Sequence, residues 1–154
     1  MRLDPLYTVT FTTPEAWSVE VTSDAGIEGR GFLLAEGRSA GRLSARYRAA
    51  NFPRKRSDGA LMPEFRGVLE TDDGAAILFE WQGLAVLNDS GMRQLLGSLV
   101  HTTDDPRYRW LNDRVCAKKR ERATCQRSCQ GNQDARHRPE KAGSERRAKR
   151  ACCL

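Results

Sequence analysis

Residues 65–81 read FRGVLETDDGAAILFEW and contain the clearest folding pattern in the chain. Two runs rich in β-branched and aromatic residues flank the turn sequence DDG at 72–74. A tight turn of this kind requires a positive φ angle, which glycine adopts without steric strain. The stretch therefore predicts a β-hairpin whose first strand ends near Thr71 and whose second begins near Ala76.

The segments on either side of this hairpin repeat the strand pattern. Residues 6–11 (LYTVTF) and the run GFLLA at 31–35 are rich in residues that favour strands. Residues 41–52 alternate, and the apolar face carries Leu43, Ala45, Tyr47 and Ala49. An alternation of period two places one face in a core and the other in solvent. Short strands separated by Gly, Asp, Asn and Pro predict an all-β domain.

Residues 92–102 carry two conflicting patterns. Five apolar residues follow the spacing of an amphipathic helix: Met92, Leu95, Leu96, Leu99 and Val100. Gly97 interrupts that spacing, and the neighbouring segments are predicted strands. The residues alone leave helix and strand open here.

The charge of the chain changes abruptly near residue 117. Residues 1–115 carry 14 Lys and Arg against 16 Asp and Glu, a net charge of −2, and residues 116–154 carry 12 against 4, a net charge of +8. From Lys118 onward, Leu154 is the single member of the set Ile, Leu, Val, Phe, Trp and Tyr. Such a segment cannot bury enough apolar surface to offset the entropy of ordering it. We therefore predict a barrel domain at 1–117 and a basic, disordered or weakly helical tail at 118–154.

Several classes of protein are disfavoured by composition. All five cysteines lie at residue 116 or beyond, so residues 1–115 contain none and are no disulfide scaffold. The start of the chain has no apolar run typical of a signal peptide, and no stretch has the roughly 18 apolar residues of a membrane helix. We expect a cytoplasmic protein without a membrane partner.

Five short motifs resemble those of one bacterial family. They are GRLS at 41–44, NFP at 51–53, DG at 58–59, FRGVLETDDG at 65–74 and TDDPRYRWLN at 103–112. Together they are similar to the family called domain of unknown function 3237, or uncharacterised protein family 0311. The resemblance extends from about Leu3 to Cys116.

This resemblance implies a small antiparallel β-barrel of roughly eight strands, similar to calycin-like and allene-oxide-cyclase-like barrels. It also implies that residues 92–102 form a strand. Relatives continue after the TDDPRYRWLN motif with a glycine turn and a final strand rich in Val and Tyr, which this chain lacks. We therefore expect the final strand to be missing. The family has no agreed activity, so the resemblance implies no reaction.

Charged residues at alternate positions are the first candidates for a ligand site. Arg46, Arg66, Glu70 and their neighbours lie opposite the apolar face of their strands. Residues of one parity in a barrel can line a common cavity, with Arg46 and Glu70 as ligand contacts and Arg66 as an anchor for an oxyanion or carboxylate. The alternative is a solvated outer face with cross-strand salt bridges.

His101 and the aromatic run after it are the second set of candidates. His101, close to Asp104, can serve as a general base, although an isolated histidine at a strand end is more often structural. Tyr108, Trp110 and Asn112 share one face if the segment is extended, and would then give a ligand pocket two aromatic walls and an amide. The alternative is an aromatic plug that closes the barrel.

No metal site and no cofactor are predicted. Two acidic pairs lie in turns at 72–73 and 104–105, where Asp is favoured for its hydrogen bonds to the backbone. The chain has no phosphate-binding loop, dinucleotide fingerprint or zinc-type histidine cluster.

Two functions of different class follow from the sequence. The first is a barrel that binds a small oxygenated organic molecule, either without catalysis or as a cofactor-free isomerase, cyclase or lyase. The second is a nonenzymatic interaction protein whose basic tail binds polyanions through phosphates, without specific nucleic-acid recognition. Whether the protein is an enzyme stays open, and a homodimer is one assembly that the sequence allows.

Overall fold

The computed structural model describes residues 4–87, 92–123 and 147–153. Within these ranges the chain forms ten strands and one short 3-10 helix. The strands are β1 (Asp4–Ser23), β2 (Gly26–Gly41), β3 (Ala45–Asn51), β4 (Arg54–Lys55), β5 (Leu61–Met62), β6 (Glu64–Thr71), β7 (Ala76–Leu87), β8 (Met92–Thr102), β9 (Cys116–Ala123) and β10 (Arg147–Cys153). The 3-10 helix spans Arg109–Leu111. No helix in the described ranges is long and apolar enough to cross a membrane.

Eight of these strands form a closed circuit. The order is β1–β2–β3–β6–β7–β8–β9–β10 and back to β1, and every pairing is antiparallel. The short strands β4 and β5 form a bridge between β2 and β7. The predicted all-β fold with an antiparallel barrel is therefore confirmed.

The hairpin predicted from residues 65–81 is the β6–β7 pair. Its register joins Leu69 to Ile77, and Gly74 in the turn has a φ of 87°. The hydroxyl of Thr71 accepts a hydrogen bond from the Ala75 N–H at 2.8 Å and so helps to close the turn. Glycine is required here because a side chain is strained at this φ.

The apolar face predicted for residues 41–52 points into the barrel. Leu43, Ala45, Tyr47 and Ala49 are all buried. The rings of Phe11 and Phe79 lie on either side of Tyr47, with centroid distances of 5.6 and 5.1 Å. This stack fills the interior, as expected of a barrel with eight strands.

Residues 92–102 form strand β8, as the family resemblance implies. The strand pairs with β7 from Leu87↔Arg93 to Leu78↔Thr102. In this strand Leu99 is buried and Leu96 is 63% exposed. The helical spacing is overridden because the edge of β7 offers a continuous set of hydrogen-bonding groups to an extended chain.

The end of the chain differs from its prediction. β9 pairs with β8 from Leu99↔Cys116 to Met92↔Ala123, and β10 pairs with β1 from Asp4↔Cys153 to Phe11↔Arg147. The expectation of a missing final strand is thus corrected, because 116–123 and 147–153 form strands, whereas the low order expected of the tail stays a prediction. The physical reason is that backbone N–H and C=O groups make these bonds whichever side chains the strand carries.

Part of the predicted tail is not covered by this correction. Residues 124–146 and 154 lie outside the described residues, so the order expected of them stays a prediction. The division of the chain into two domains at residue 117 stays a prediction.

Gly67 of β6 allows the wall of the barrel to pack closely. A Cβ atom at this position would overlap the carbonyl oxygen of Arg48, the Cβ of Ala49 and the ring of Phe79. Two of these atoms belong to backbone or to a short side chain and cannot move aside cheaply. The absence of a side chain at residue 67 is therefore a packing requirement.

We predict that Gly67→Ala destabilises the protein by about 1–3 kcal/mol, the usual cost of overpacking a core. The free energy of unfolding from denaturant titration measures this change. Arg66→Ala, next to it on the exposed face, is the matched control and should change stability by no more than about 0.5 kcal/mol. Equal stabilities for the two variants would contradict the packing role.

Candidate functional site

The segment between β8 and β9, residues 103–115, forms a cap on the barrel. Leu111 of its 3-10 helix is completely buried and packs into the barrel core. Tyr108 and Trp110 are partly buried against the same core. Because the cap carries three of the predicted site residues, its geometry decides what they can do.

Asn112 fastens the cap to the end of β8. Its side-chain Oδ1 accepts a hydrogen bond from the Thr103 N–H at 2.9 Å, and its Nδ2 donates to the Thr103 carbonyl at 2.9 Å. The Thr103 hydroxyl donates to the Ala76 carbonyl at 2.8 Å. The side-chain amide of Asn112 therefore makes both of these hydrogen bonds to the Thr103 backbone, as the backbone of a neighbouring strand would do.

Arg107 fastens the cap to the β6–β7 turn. It donates to both carboxylate oxygens of Asp105, at 3.0 and 2.7 Å, and to Oδ2 of Asp73 at 2.9 Å. The Tyr108 hydroxyl donates to the same Asp73 oxygen at 2.9 Å. These contacts join the two acidic turns through one guanidinium.

The two carboxyl groups respond to these contacts. Hydrogen bonds from Thr71 and Tyr108 lower the pKa of Asp73, and the neighbouring Arg107 also contributes. The hydrogen bond from Arg107 lowers the pKa of Asp105 to about 2. Both groups are thus held in the charged form that the cap contacts require.

The shared strand face predicted for Tyr108, Trp110 and Asn112 is wrong. The chain turns after Pro106 and winds into the 3-10 helix, so successive side chains point in different directions. Tyr108 and Asn112 bind the turn and the strand end described above. Trp110 projects toward two arginines instead.

Trp110 contacts two guanidinium groups and lines a cavity. The guanidinium carbon of Arg42 is 5.1 Å from the centre of the indole ring, and that of Arg114 is 5.7 Å away. A cavity of about 460 Å³ is lined by Trp110, Asp113, Arg114 and Val115. Both arginines lie within the distance at which a cation is attracted to an aromatic face.

His101 lies in the barrel core and faces inward from β8. It is 2% exposed, and its Nε2 is 2.9 Å from the Tyr7 hydroxyl. Among the described residues its Nδ1 has no hydrogen-bond partner. Burial lowers the pKa of His101 to about 4 and raises the pKa of Tyr7. At neutral pH the pair is therefore an uncharged imidazole and an uncharged phenol.

The charged residues at alternate positions lie on the outer face. Glu70 contacts Arg48 at 2.8 Å and Arg46 at 3.9 Å, and Arg66 contacts Glu64 at 3.0 Å. Arg66 also borders an open groove of about 570 Å³ on the outside of the β2–β3–β6–β7 wall. Since His101 faces inward, the structure does not bring Arg66 and His101 together.

The sequence of the chain matches one family over most of its length. The profile of the family described as "Protein of unknown function (DUF3237)" matches residues 1–124. The chain belongs to the DUF3237 family. No curated protein matches the chain.

Three solved structures share the DUF3237 fold of this chain. A β-barrel-like protein from Acinetobacter baumannii AYE has a TM-score of 0.69 at 21% identity, with 99% of this chain and 93% of that chain covered. A protein of unknown function from Clostridium acetobutylicum has a TM-score of 0.72 at 16% identity, with 99% and 97% covered. One from Rhodopseudomonas palustris has a TM-score of 0.69 at 16% identity, with 99% and 97% covered.

Residues from two of the motifs that resemble the DUF3237 family contact one another in the folded chain. Asp73 comes from the FRGVLETDDG motif, and Asp105, Arg107 and Tyr108 come from TDDPRYRWLN. Their contacts hold the cap in place. This part of the family pattern is therefore explained by structure, without an appeal to catalysis.

Sequence reasoning missed Tyr7, Arg42 and Arg114. The sequence pattern predicts an ordinary strand residue at Tyr7 and places Arg42 on the polar face of residues 41–52. Their partners, His101 and Trp110, are far away in sequence, so no local pattern could indicate the contacts. The GRLS motif at 41–44 was the one available hint for Arg42.

We predict that Asn112→Ala destabilises this DUF3237 protein by about 1–3 kcal/mol, because the poorly exposed backbone groups of Thr103 lose both partners. Tyr108→Phe removes one hydrogen bond at the surface and should cost less than about 1 kcal/mol. Denaturant titration of both variants measures the difference. A loss for Tyr108→Phe as large as that for Asn112→Ala would show that we have misassigned the stronger contact.

We also predict that stability falls between pH 6.5 and pH 4 because of His101. The unfolded chain takes up a proton near the ordinary pKa of 6.5, whereas the folded chain resists protonation down to about 4. Protonation therefore favours unfolding, and the contribution lost by pH 4 is about 3 kcal/mol.

The free energy of unfolding of His101→Gln, measured across this pH range, tests the prediction. Glutamine can still accept a hydrogen bond from Tyr7 but does not titrate, so the variant should lose most of the slope. His137→Gln, which removes the other histidine of the chain, should keep the slope of the unmodified protein. An unchanged slope in His101→Gln would assign the acid sensitivity to other groups.

Proposed function

We propose that the protein binds a small organic anion, such as a carboxylate with an apolar or aromatic body, in the cavity beside Trp110. The observation that carries the proposal is the placement of Arg42 and Arg114 on the Trp110 ring, next to a cavity of about 460 Å³. Sites for small molecules usually have volumes of about 300–1,000 Å³ and combine apolar walls with a few polar anchors.

The charges around the cavity favour an anion. Arg42 makes no ion pair with any carboxylate among the described residues, so its guanidinium can serve a ligand. A guanidinium donates two parallel hydrogen bonds to a carboxylate, and stacking on an aromatic ring holds it in a fixed orientation. Asp113 also lines the cavity and places a negative charge at one side. A ligand with a single negative charge therefore fits best, because Asp113 would repel a ligand that carries several.

The apolar part of the ligand has its own contacts. The Trp110 ring and Val115, which is 54% exposed, line the same cavity. Covering these groups would remove apolar surface from water and add to the affinity. The sequence-based expectation of an oxygenated organic ligand is kept, with its site moved from the barrel interior to the cap.

The geometry supports binding better than catalysis. His101 and Tyr7 are buried in a packed core and are uncharged at neutral pH. Arg66, the other residue proposed for catalysis, lies on the opposite side of the barrel wall. An isomerase, cyclase or lyase activity stays a prediction of the sequence alone. No observation on the described residues favours the alternative of polyanion binding by the tail.

Calorimetric titration with 2-naphthoate, and with its uncharged counterpart 2-naphthamide, tests the proposal. We expect 2-naphthoate to bind more tightly because only the carboxylate can form an ion pair with the Arg42 guanidinium beside Trp110. Arg42→Gln and Arg114→Gln should each weaken 2-naphthoate binding by about tenfold or more, since hydrogen bonds to charged groups contribute about 1.5–3 kcal/mol. The affinity should fall as salt is added.

Arg66→Gln is the matched control, because it removes an exposed arginine from another face. It should leave the affinity for 2-naphthoate unchanged. Equal binding of the acid and the amide would contradict an anion site, and so would an Arg42→Gln variant that binds as well as the unmodified protein.

A further inference from the structure

Among the described residues, one edge of strand β1 has no partner strand over about half of its length. β10 pairs with β1 from Asp4 to Phe11, whereas β2 pairs with it as far as Ser23. Within the described part of the chain, the segment 15–23 therefore has a neighbouring strand on one side only. A row of free backbone N–H and C=O groups at such an edge is a template for pairing with another strand.

The backbone direction at this edge follows from the register. The N–H of Gly31 donates to the Pro53 carbonyl at 2.9 Å, so it points away from β1. Ser18 is the register partner of Gly31. In an antiparallel pair, two directly opposed residues either exchange two N–H···O=C hydrogen bonds, or both point their N–H and C=O groups away from each other. Ser18, and by alternation Glu20, thus present their N–H and C=O groups to the open edge.

The side chains of the same segment form two unlike faces. Trp17, Val19 and Val21 share one face and are 47%, 63% and 60% exposed. Glu20 is on the other face, where its carboxylate binds the Lys55 ammonium at 3.2 Å. Three neighbouring apolar side chains with this exposure are unusual on a solvated strand and mark a site of contact.

The segment is complementary to a second copy of itself. If two β1 edges pair antiparallel with Val19 opposite Val19, then Trp17 lies opposite Val21 on both sides of the two-fold axis. Glu20 then lies opposite Ser18, and the hydrogen bonds use the outward groups of these two residues. A register centred on Glu20 would place like charges together, which is destabilising.

We propose that two copies of this chain form a symmetric dimer by antiparallel pairing of the open β1 edges, centred on Val19. The two barrels then share one continuous sheet, and each copy contributes the same surface, as in an isologous interface. The proposal is independent of the Trp110 cavity. It extends the homodimer that the sequence allows by naming the strand and the register.

Sedimentation velocity over a range of protein concentrations tests the dimer. The unmodified protein should sediment with twice the chain mass of 17.3 kDa. Ser18→Pro removes an N–H that faces the open edge but none that faces β2, and proline is tolerated on an edge strand. It should raise the dimer dissociation constant by roughly tenfold or more.

Three further variants separate pairing from misfolding. Val19→Lys places like charges at the two-fold axis and should also give monomers, while Ser18→Ala keeps the N–H and should remain dimeric. Leu78→Lys changes an equally exposed residue of β7 and should remain dimeric as well. A monomeric unmodified protein would overturn the proposal, and so would a Ser18→Pro variant that folds and dimerises like Ser18→Ala.

Amide hydrogen exchange tests the register. In the dimer the N–H groups of Ser18 and Glu20 should be protected, and in Val19→Lys they should exchange rapidly while those of Trp17 and Val21 stay protected by β2. A dimer in which Ser18 and Glu20 exchange rapidly would exclude pairing through this edge.

Discussion

Closing the circuit of strands fixes the volume inside the barrel, and the rest of the structure depends on filling that volume. Stacked aromatic rings occupy it, and Gly67 lets one of them lie against the wall. His101 is enclosed in the same packing, which keeps its imidazole neutral. Interior packing thus accounts for the one histidine of the described barrel, and the groups that we propose for ligand binding lie on the cap around Trp110.

The fold was predictable where one local rule was sufficient. Turn chemistry identified the hairpin around Gly74, and alternation identified the inward face of β3. Strand β8 was harder, because its apolar residues fit a helical spacing and only the family resemblance implied the strand. β9 and β10 were not predicted because their sequences, CAKKRERA and RAKRACC, lack the apolar alternation that marks the other strands. A basic sequence can therefore complete a barrel that its composition argues against.

The candidate site was less predictable than the fold. Alternation divides a strand into two faces but does not say which face a ligand meets, and Arg46, Arg66 and Glu70 lie on the outer one. The sequence places the aromatic run of the cap on one face of a strand. In the structure this run forms a turn and a 3-10 helix, so the side chains of Tyr108 and Trp110 point in different directions. The contact of Arg42 with Trp110 joins residues distant in sequence. Only the folded chain brings them together.

The pairing of β1 with β10 has a consequence for how the molecule forms. Its register joins Asp4 to Cys153, so two strands that are far apart in the sequence complete one pair of the barrel. Contacts between such distant parts of a chain slow folding, because the loop entropy is lost before the contacts can repay it. During synthesis, the edge of β1 in the β1–β2 hairpin therefore stays unpaired until β10 has been made. That interval, rather than the finished barrel, is when the chain is most exposed to wrong partners.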